Sequence, residues 1–198
     1  YEFHKLALSE ATWLADIAPA YLDVLHRAAC LQARGRPPQA LRRMYTTAVL
    51  FALEQKSVPL KLRPIGVGTI ARRLVGRAMM LAHREETRHA VGHRQLAVAE
   101  AAGTEGLAFA ARQSLHAGWH TWFSDCSAAF QELDRQLMLD EVATRLPRFL
   151  PLVEFLYAGS SPVIVHRLGG GAGADGDETP AYAVLDSMQG CTQGCAFG

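Results

Sequence analysis

The chain has 198 residues, is 49% hydrophobic and 20% charged, and carries a net charge of +1. That composition can bury a core and excludes an intrinsically disordered chain. No apolar run reaches the roughly 18–20 residues of a membrane helix, and no basic-then-apolar leader follows Tyr1.

Residues 9–34 carry apolar side chains at helical spacing (Trp13, Ile17, Tyr21, Val24, Leu25, Ala28), and Ser9 can cap such a helix. Gly35, Pro37 and Pro38 break it. The spacing of Leu41, Tyr45, Val49 and Leu53 predicts a second helix over 39–55. The run Lys56-Ser-Val-Pro-Leu-Lys-Leu-Arg-Pro-Ile-Gly-Val-Gly68 is β-branched and broken by proline and glycine. It reads as extended strands with a turn, near a sheet edge. Residues 69–90 return to helix, with Thr69 as cap and Arg72, Arg73, Arg77, Arg84 and Arg88 on one polar side. A helix is expected over 104–117, and Trp119-His-Thr-Trp-Phe-Ser124 reads as a strand that ends at Asp125. An amphipathic helix over 131–146 is interrupted by Pro147, and a short helix runs on to Tyr157. Residues 162–167 and 181–185 read as a hairpin, joined by the Gly-rich, acidic and flexible loop 168–180. The strands are not spaced by regular crossover helices, so the predicted fold class is α+β.

Charge is unevenly distributed. Residues 1–94 hold 15 Lys and Arg against 7 Asp and Glu, and residues 95–198 hold 5 against 12. Arginine makes up 17 of the 20 basic residues. Such a first half suits a polyanion, and the acidic second half suits metal ions; a solvated helical surface is the plain alternative. The 4 cysteines, Cys30, Cys126, Cys191 and Cys195, form neither a zinc signature nor a disulfide framework. Reduced thiols in an intracellular compartment, nuclear or cytoplasmic, are the expectation.

Three segments could carry chemistry. Asp125 stands at the end of a β-prone run and is followed by small residues and then Phe130. A carboxylate so placed can hold magnesium, or it can cap the turn that follows. Arg63-Pro-Ile-Gly-Val-Gly68, followed by Arg72 and Arg73, combines close backbone approach with phosphate-gripping guanidiniums; it is also readable as a turn into a basic helix. Gln189-Gly-Cys-Thr-Gln-Gly-Cys-Ala-Phe-Gly198 reads as a loop lying close to a planar partner such as a base, or as a plain terminus.

In this order and separation, Arg63-Pro64-Ile65, Asp125 with Ala129-Phe130 and Asp134-Arg135, and Gln193-Gly194 resemble the reverse transcriptase domain of non-LTR retrotransposons. The resemblance runs from about Val58 to Gly198, about seventy per cent of the chain. Leu62 to Arg77 is similar to the family's fingers segment, Gly92 to Arg112 to its glycine-containing link, Leu150 to Tyr157 to the helix before a hairpin, and Gly190-Cys-Thr-Gln-Gly194 to its G-x-x-Q-G motif. The resemblance implies the fingers and part of the palm of a right-hand polymerase, over residues 58–198, behind a helical extension over 1–57. It implies RNA-directed DNA synthesis with Mg2+, an RNA template, a DNA primer and deoxynucleoside triphosphates, and no membrane. Asp125 would be the first metal-binding aspartate, with the Cys126 carbonyl beside it. Phe130 would be a steric gate against a ribose 2′-hydroxyl. Arg63, with Lys61 as a neighbour, would contact the incoming nucleotide or template. Gln193 and Gly194 would border the nucleotide and template base.

The chain departs from the family at three places. It has Gln193-Gly-Cys-Ala-Phe-Gly198 for Q-G-D-P-L-G-P and Ala128-Ala-Phe-Gln131 for N-A-F-N, and it contains no F/Y-x-D-D. The expectation is therefore a fragment that does not polymerise alone. Two other readings stand beside it: a non-catalytic, nucleic-acid-binding remnant, and a helical protein-interaction domain.

Overall fold

A computed structural model describes residues 18–55, 61–92, 95, 96, 98, 100–126, 128–166, 182–192 and 195. Helix α1 (Ala18–Ala33) is followed by a 3-10 turn (Gln39–Leu41) and the short α2 (Arg42–Thr46). Strands β1 (Ala48–Gln55) and β2 (Lys61–Gly68) come next, then α3 (Ile70–Ala82) and α4 (Arg84–Val91). The remaining elements are α5 (Gly103–His116), α6 (Ala129–Glu132), α7 (Arg135–Arg145), α8 (Leu150–Tyr157), β3 (Ser161–His166) and β4 (Tyr182–Ser187). The fold class is α+β, as expected. No helix among the described residues is long and apolar enough to cross a membrane.

The four described strands form one sheet in the order β2-β1-β3-β4. β1 pairs antiparallel with β2 and parallel with β3, and β3 pairs antiparallel with β4. The register places Leu50 opposite Gly66, Phe51 opposite Ile65, and Val163 opposite Leu185. Alternation then gives the sheet two distinct faces. One carries Ala48, Leu50, Pro64, Gly66, Ser161 and Val163. The other carries Phe51, Leu53, Arg63, Ile65, Ile164 and Tyr182.

The core forms around α8. Its sequence, LPLVEFLY, is apolar on nearly every side, which is the pattern of a central helix. Leu152, Val153, Leu156 and Tyr157 are buried, as is Phe149 just before the helix. Val75 of α3, Met138 and Val142 of α7, and Ala29 of α1 pack on this cluster.

Two element expectations are corrected. The helix expected over 39–55 ends at Thr46, and residues 48–55 are strand. The apolar run AVLFALEQ satisfies both periods, and ladder bonds to two neighbouring strands favour the extended form. The division expected between 57 and 58 lies outside the described residues, between β1 and β2. Residues 119–124 are not a strand; they run without regular structure, and Trp119, Trp122 and Phe123 are exposed. The hairpin of β3 and β4 is present, while the Gly-rich segment 168–180 lies outside the described residues, as do Ser9, Trp13 and Ile17.

Candidate functional site

Strand β2 through Pro64 and Gly66, the Phe130–Arg135 segment and residues 187–192 converge on one face of the sheet. Thr69 caps α3, its hydroxyl accepting from the Arg72 backbone N–H at 3.4 Å. That fixes the rotation of α3, and Arg72 falls on the same side as Val75, Gly76 and Met79. Arg72 is therefore buried, at 2% exposure, and is not on the polar side expected for it. Arg73, Arg77, Arg84 and Arg88 do remain exposed.

Asp134 caps α7 by accepting from Leu137 N–H at 2.9 Å, which orients Arg135 toward the 187–190 segment. All the N–H groups of that guanidinium find oxygen. Nε donates to Gly190 O at 2.8 Å, and Nη1 donates to Gly159 O at 2.9 Å and Ser187 O at 3.0 Å. Nη2 donates to Ser187 Oγ at 3.1 Å and Gln189 O at 3.3 Å. Cys191 N–H donates to Phe130 O at 2.7 Å, and Gly190 N–H donates to Leu133 O at 3.0 Å. Gln131 Nε2 reaches back to Pro64 O at 3.2 Å, tying β2 to the same assembly.

These contacts enclose a cavity of about 350 Å³, lined by Pro64 and Gly66 of β2, Gln131, Arg135, Tyr157 and the 187–192 segment. Tyr157 is buried and lies between two guanidiniums, with Arg72 4.8 Å and Arg135 5.5 Å from its ring centroid. Both are cation–π distances. The Tyr157 hydroxyl stands 3.3 Å from Thr192 Oγ1 and accepts from Thr192 N–H at 3.4 Å. Arg72 donates at longer range, to Thr46 O at 3.5 Å and Cys195 Sγ at 3.8 Å, and its Nε has no partner among the described residues. Neither arginine has a carboxylate partner among the described residues.

Burial, reinforced by Cys195, pushes the Tyr157 phenol well above its ordinary range, against the opposing pull of Arg72. Burial also pushes the Cys191 thiol up, and Cys195 adds to the effect while Arg72 and Arg135 oppose it. Arg135 is held below the usual guanidinium range chiefly by desolvation. Both acidic groups are therefore neutral near pH 7. Cys191 is not a thiolate nucleophile, and Tyr157 is not a base. The described residues of the cavity wall offer no activated nucleophile.

The site residues expected from sequence are distributed unevenly around this cavity. Phe130 is half-buried in α6, and its carbonyl holds the Gly190–Cys191 segment. Gln193 and Gly194 lie outside the described residues, between Thr192, which lines the cavity, and the buried Cys195. Arg63 is exposed on the opposite face of the sheet. Lys61 opens β2 opposite Gln55, and its side chain lies outside the described residues. Asp125 and Cys126 are exposed in the irregular stretch that leads to α6, whose N-cap position is Ala128. Asp125 makes no side-chain cap there.

A magnesium site needs near-octahedral oxygen coordination, commonly from one or two carboxylates with substrate phosphates. Asp125 is a single carboxylate, and no three His, Cys, Asp or Glu side chains converge among the described residues. These residues do not make a metal centre by themselves. Sequence reasoning missed Tyr157 and the Arg135 clamp, because carbonyl acceptors spread over residues 159–190 leave no local pattern. No protein-family model matches the chain, and no curated protein matches it.

Proposed function

We propose that this chain is part of an RNA-directed DNA polymerase, contributing fingers and part of the palm to nucleotidyl transfer from deoxynucleoside triphosphates onto a DNA primer along an RNA template. The observation that supports the reading is that three stretches far apart in sequence, Pro64 with Gly66, Gln131 with Arg135, and Ser187–Thr192, line one cavity. Pro64 and Arg135 are among the residues that carry the resemblance. In this reading Phe130 gates the sugar, Arg63 and Lys61 contact nucleotide or template, and Gln193 and Gly194 border the base pair. Asp125, with the Cys126 carbonyl, is one part of a magnesium site whose other ligands lie outside the described residues.

The test is template–primer extension by the complete protein. Asp125→Ala is expected to abolish synthesis while template binding persists, and Phe130→Ala is expected to raise ribonucleotide incorporation. Undiminished extension by Asp125→Ala removes the metal role, and an unchanged ribo-to-deoxynucleotide ratio removes the gate. One observation favours a second reading, a non-catalytic nucleic-acid binder: Asp125 is exposed, and no group of three or more His, Cys, Asp or Glu side chains converges among the described residues. In that case wild-type protein binds template with a steep salt dependence and extends nothing.

A further inference from the structure

The face of the sheet turned away from the cavity is half exposed. Phe51 is 50% exposed and Tyr182 is 53% exposed. Their positions are linked through the register. Phe51 of β1 stands opposite Ile65 of β2, and His166 of β3 stands opposite Tyr182 of β4. The parallel pairing of β1 with β3 sets Val49 opposite Ile164 and Leu50 opposite Val165. Continued by one residue, it sets Phe51 beside His166. Three rings, Phe51, His166 and Tyr182, thus form a row across three adjacent strands. Strands lie about 4.8 Å apart, so the outer two rings are about 10 Å apart.

Arg63 is exposed on this face, one pair along from the row, opposite Leu53. The carboxylate of the same face, Asp186, lies at its other end, where it pairs with Arg43 at 3.8 Å. The ring row is therefore bordered by a cation and kept apart from that negative charge. Flat rings at strand spacing, one face solvated and a guanidinium beside them, match what unpaired bases require: π-faces to stack on and a donor fork for phosphate. Leu53 and Val184 of the same face are also exposed, so pairing with a second copy of the chain is the outcome the test must separate from nucleic-acid binding.

We infer that this sheet face binds single-stranded nucleic acid, stacking unpaired bases on Phe51, His166 and Tyr182 with Arg63 on the backbone. The inference does not depend on nucleotidyl transfer, since it concerns the face opposite the cavity and needs no metal.

The test is fluorescence anisotropy with the 198-residue chain and a labelled 12-nucleotide oligo(dT) or oligo(U), at several salt concentrations. Phe51→Leu and Tyr182→Leu keep apolar bulk and remove the ring; each is expected to weaken binding roughly 5- to 150-fold, with an unchanged salt slope. Phe51→Trp and Tyr182→Phe keep a ring and are expected to bind as the wild type does. Arg63→Ala is expected to reduce the magnitude of the salt slope by about 0.7. Matching circular dichroism melts confirm that the leucine variants are folded. The inference is overturned if the wild type does not bind, if the leucine variants bind equally well, or if ring-retaining variants lose affinity as the leucine ones do. It is also overturned if sedimentation shows a dimer that the leucine variants abolish, which assigns the face to a second copy. Binding without extension by the complete protein leaves this inference standing and removes the catalytic reading alone.

Discussion

Gly190 is the tightest junction between the segments that enclose the cavity, and Gly190→Ala measures how much that junction holds. Its φ is +74°, a region that L-residues enter at a cost of about 1–2 kcal/mol. A Cβ built there would lie 2.5 Å from Phe130 O and 2.6 Å from Gln131 O, both backbone atoms that no rotamer change can move. The loop must withdraw. Withdrawal breaks Cys191 N–H to Phe130 O, Gly190 N–H to Leu133 O, and the charged bond from Arg135 Nε to Gly190 O. Neutral hydrogen bonds contribute about 1 kcal/mol each and charged ones about 1.5–3, so with partial relaxation the expected loss is roughly 3–6 kcal/mol. In a chain of this size 1 kcal/mol shifts the melting temperature by about 2–4 °C, so the midpoint falls by roughly 6–24 °C. Gly118 supplies the control. Its φ is +77°, it ends α5 with Trp119 N–H donating to Ser114 O at 2.9 Å, and nothing lies within 4 Å of where its Cβ would be. Gly118→Ala incurs only the backbone term, about 1–2 kcal/mol or roughly 2–8 °C. Paired thermal melts decide the matter. Equal shifts for the two variants would show that close packing of Gly190 on α6 does not hold the cavity wall.

Arg135→Lys is expected to destabilise by about 3 kcal/mol or more, because one ammonium cannot serve five oxygens on four residues. A urea midpoint within error of the wild type would refute the clamp. Asp134→Ala removes the α7 cap at Leu137 N–H and is expected to reduce stability by about 1 kcal/mol, read from the same titration. Stability is also expected to fall in alkali. Cys191 and Tyr157 both have folded values raised above their ordinary 9.0 and 10.0, so their contribution is complete below those values and is lost as pH rises through the folded ones. Urea midpoints between pH 7 and 11 should decline from about pH 9 onward, with Cys191→Ala removing the early part and Tyr157→Phe the later part; a flat profile contradicts the burial of these groups.

Local signals predicted local structure well. Thr69 before an apolar-periodic run predicts the cap that the structure shows, and β-branched runs separated by a Gly-rich stretch predict the β3–β4 hairpin. Misreadings arise where the outcome depends on distant partners. Leu41, Tyr45, Val49 and Leu53 keep helical spacing, yet β1 is extended because β2 and β3 both pair with it. Arg72 looks like a surface cation by type, and only the rotation of α3 against α8 places it over Tyr157. Of the motif segments read from sequence, only Pro64 and Gly66, Gln131 and Arg135, and residues 189–192 line the cavity. Its Tyr157 floor and Arg135 clamp were not legible, since their partners are backbone carbonyls of unrelated residues.

Residues 119–125 show what this means for the candidate chemistry. Trp119, Trp122 and Phe123 have high strand propensity, but a strand's hydrogen bonds lie between chains of backbone, and no described strand takes this segment as a neighbour. A carboxylate at the end of a paired strand is fixed by the ladder behind it; no described strand stands behind Asp125, which is exposed. Catalytic groups need placement to within about 0.5 Å. The Phe130 backbone is fixed more firmly, because its carbonyl is bonded to Cys191 N–H and its helix abuts Gly190. Phe130 and Asp125, five residues apart, therefore differ in how firmly the described fold holds them. If Asp125 holds a metal as proposed, a further strand paired with residues 119–124 would support it, and protection of their amides from hydrogen exchange in the complete protein reports the pairing directly. Protection there would give Asp125 the rigid support that a metal ligand requires, and rapid exchange would count against the proposed metal role.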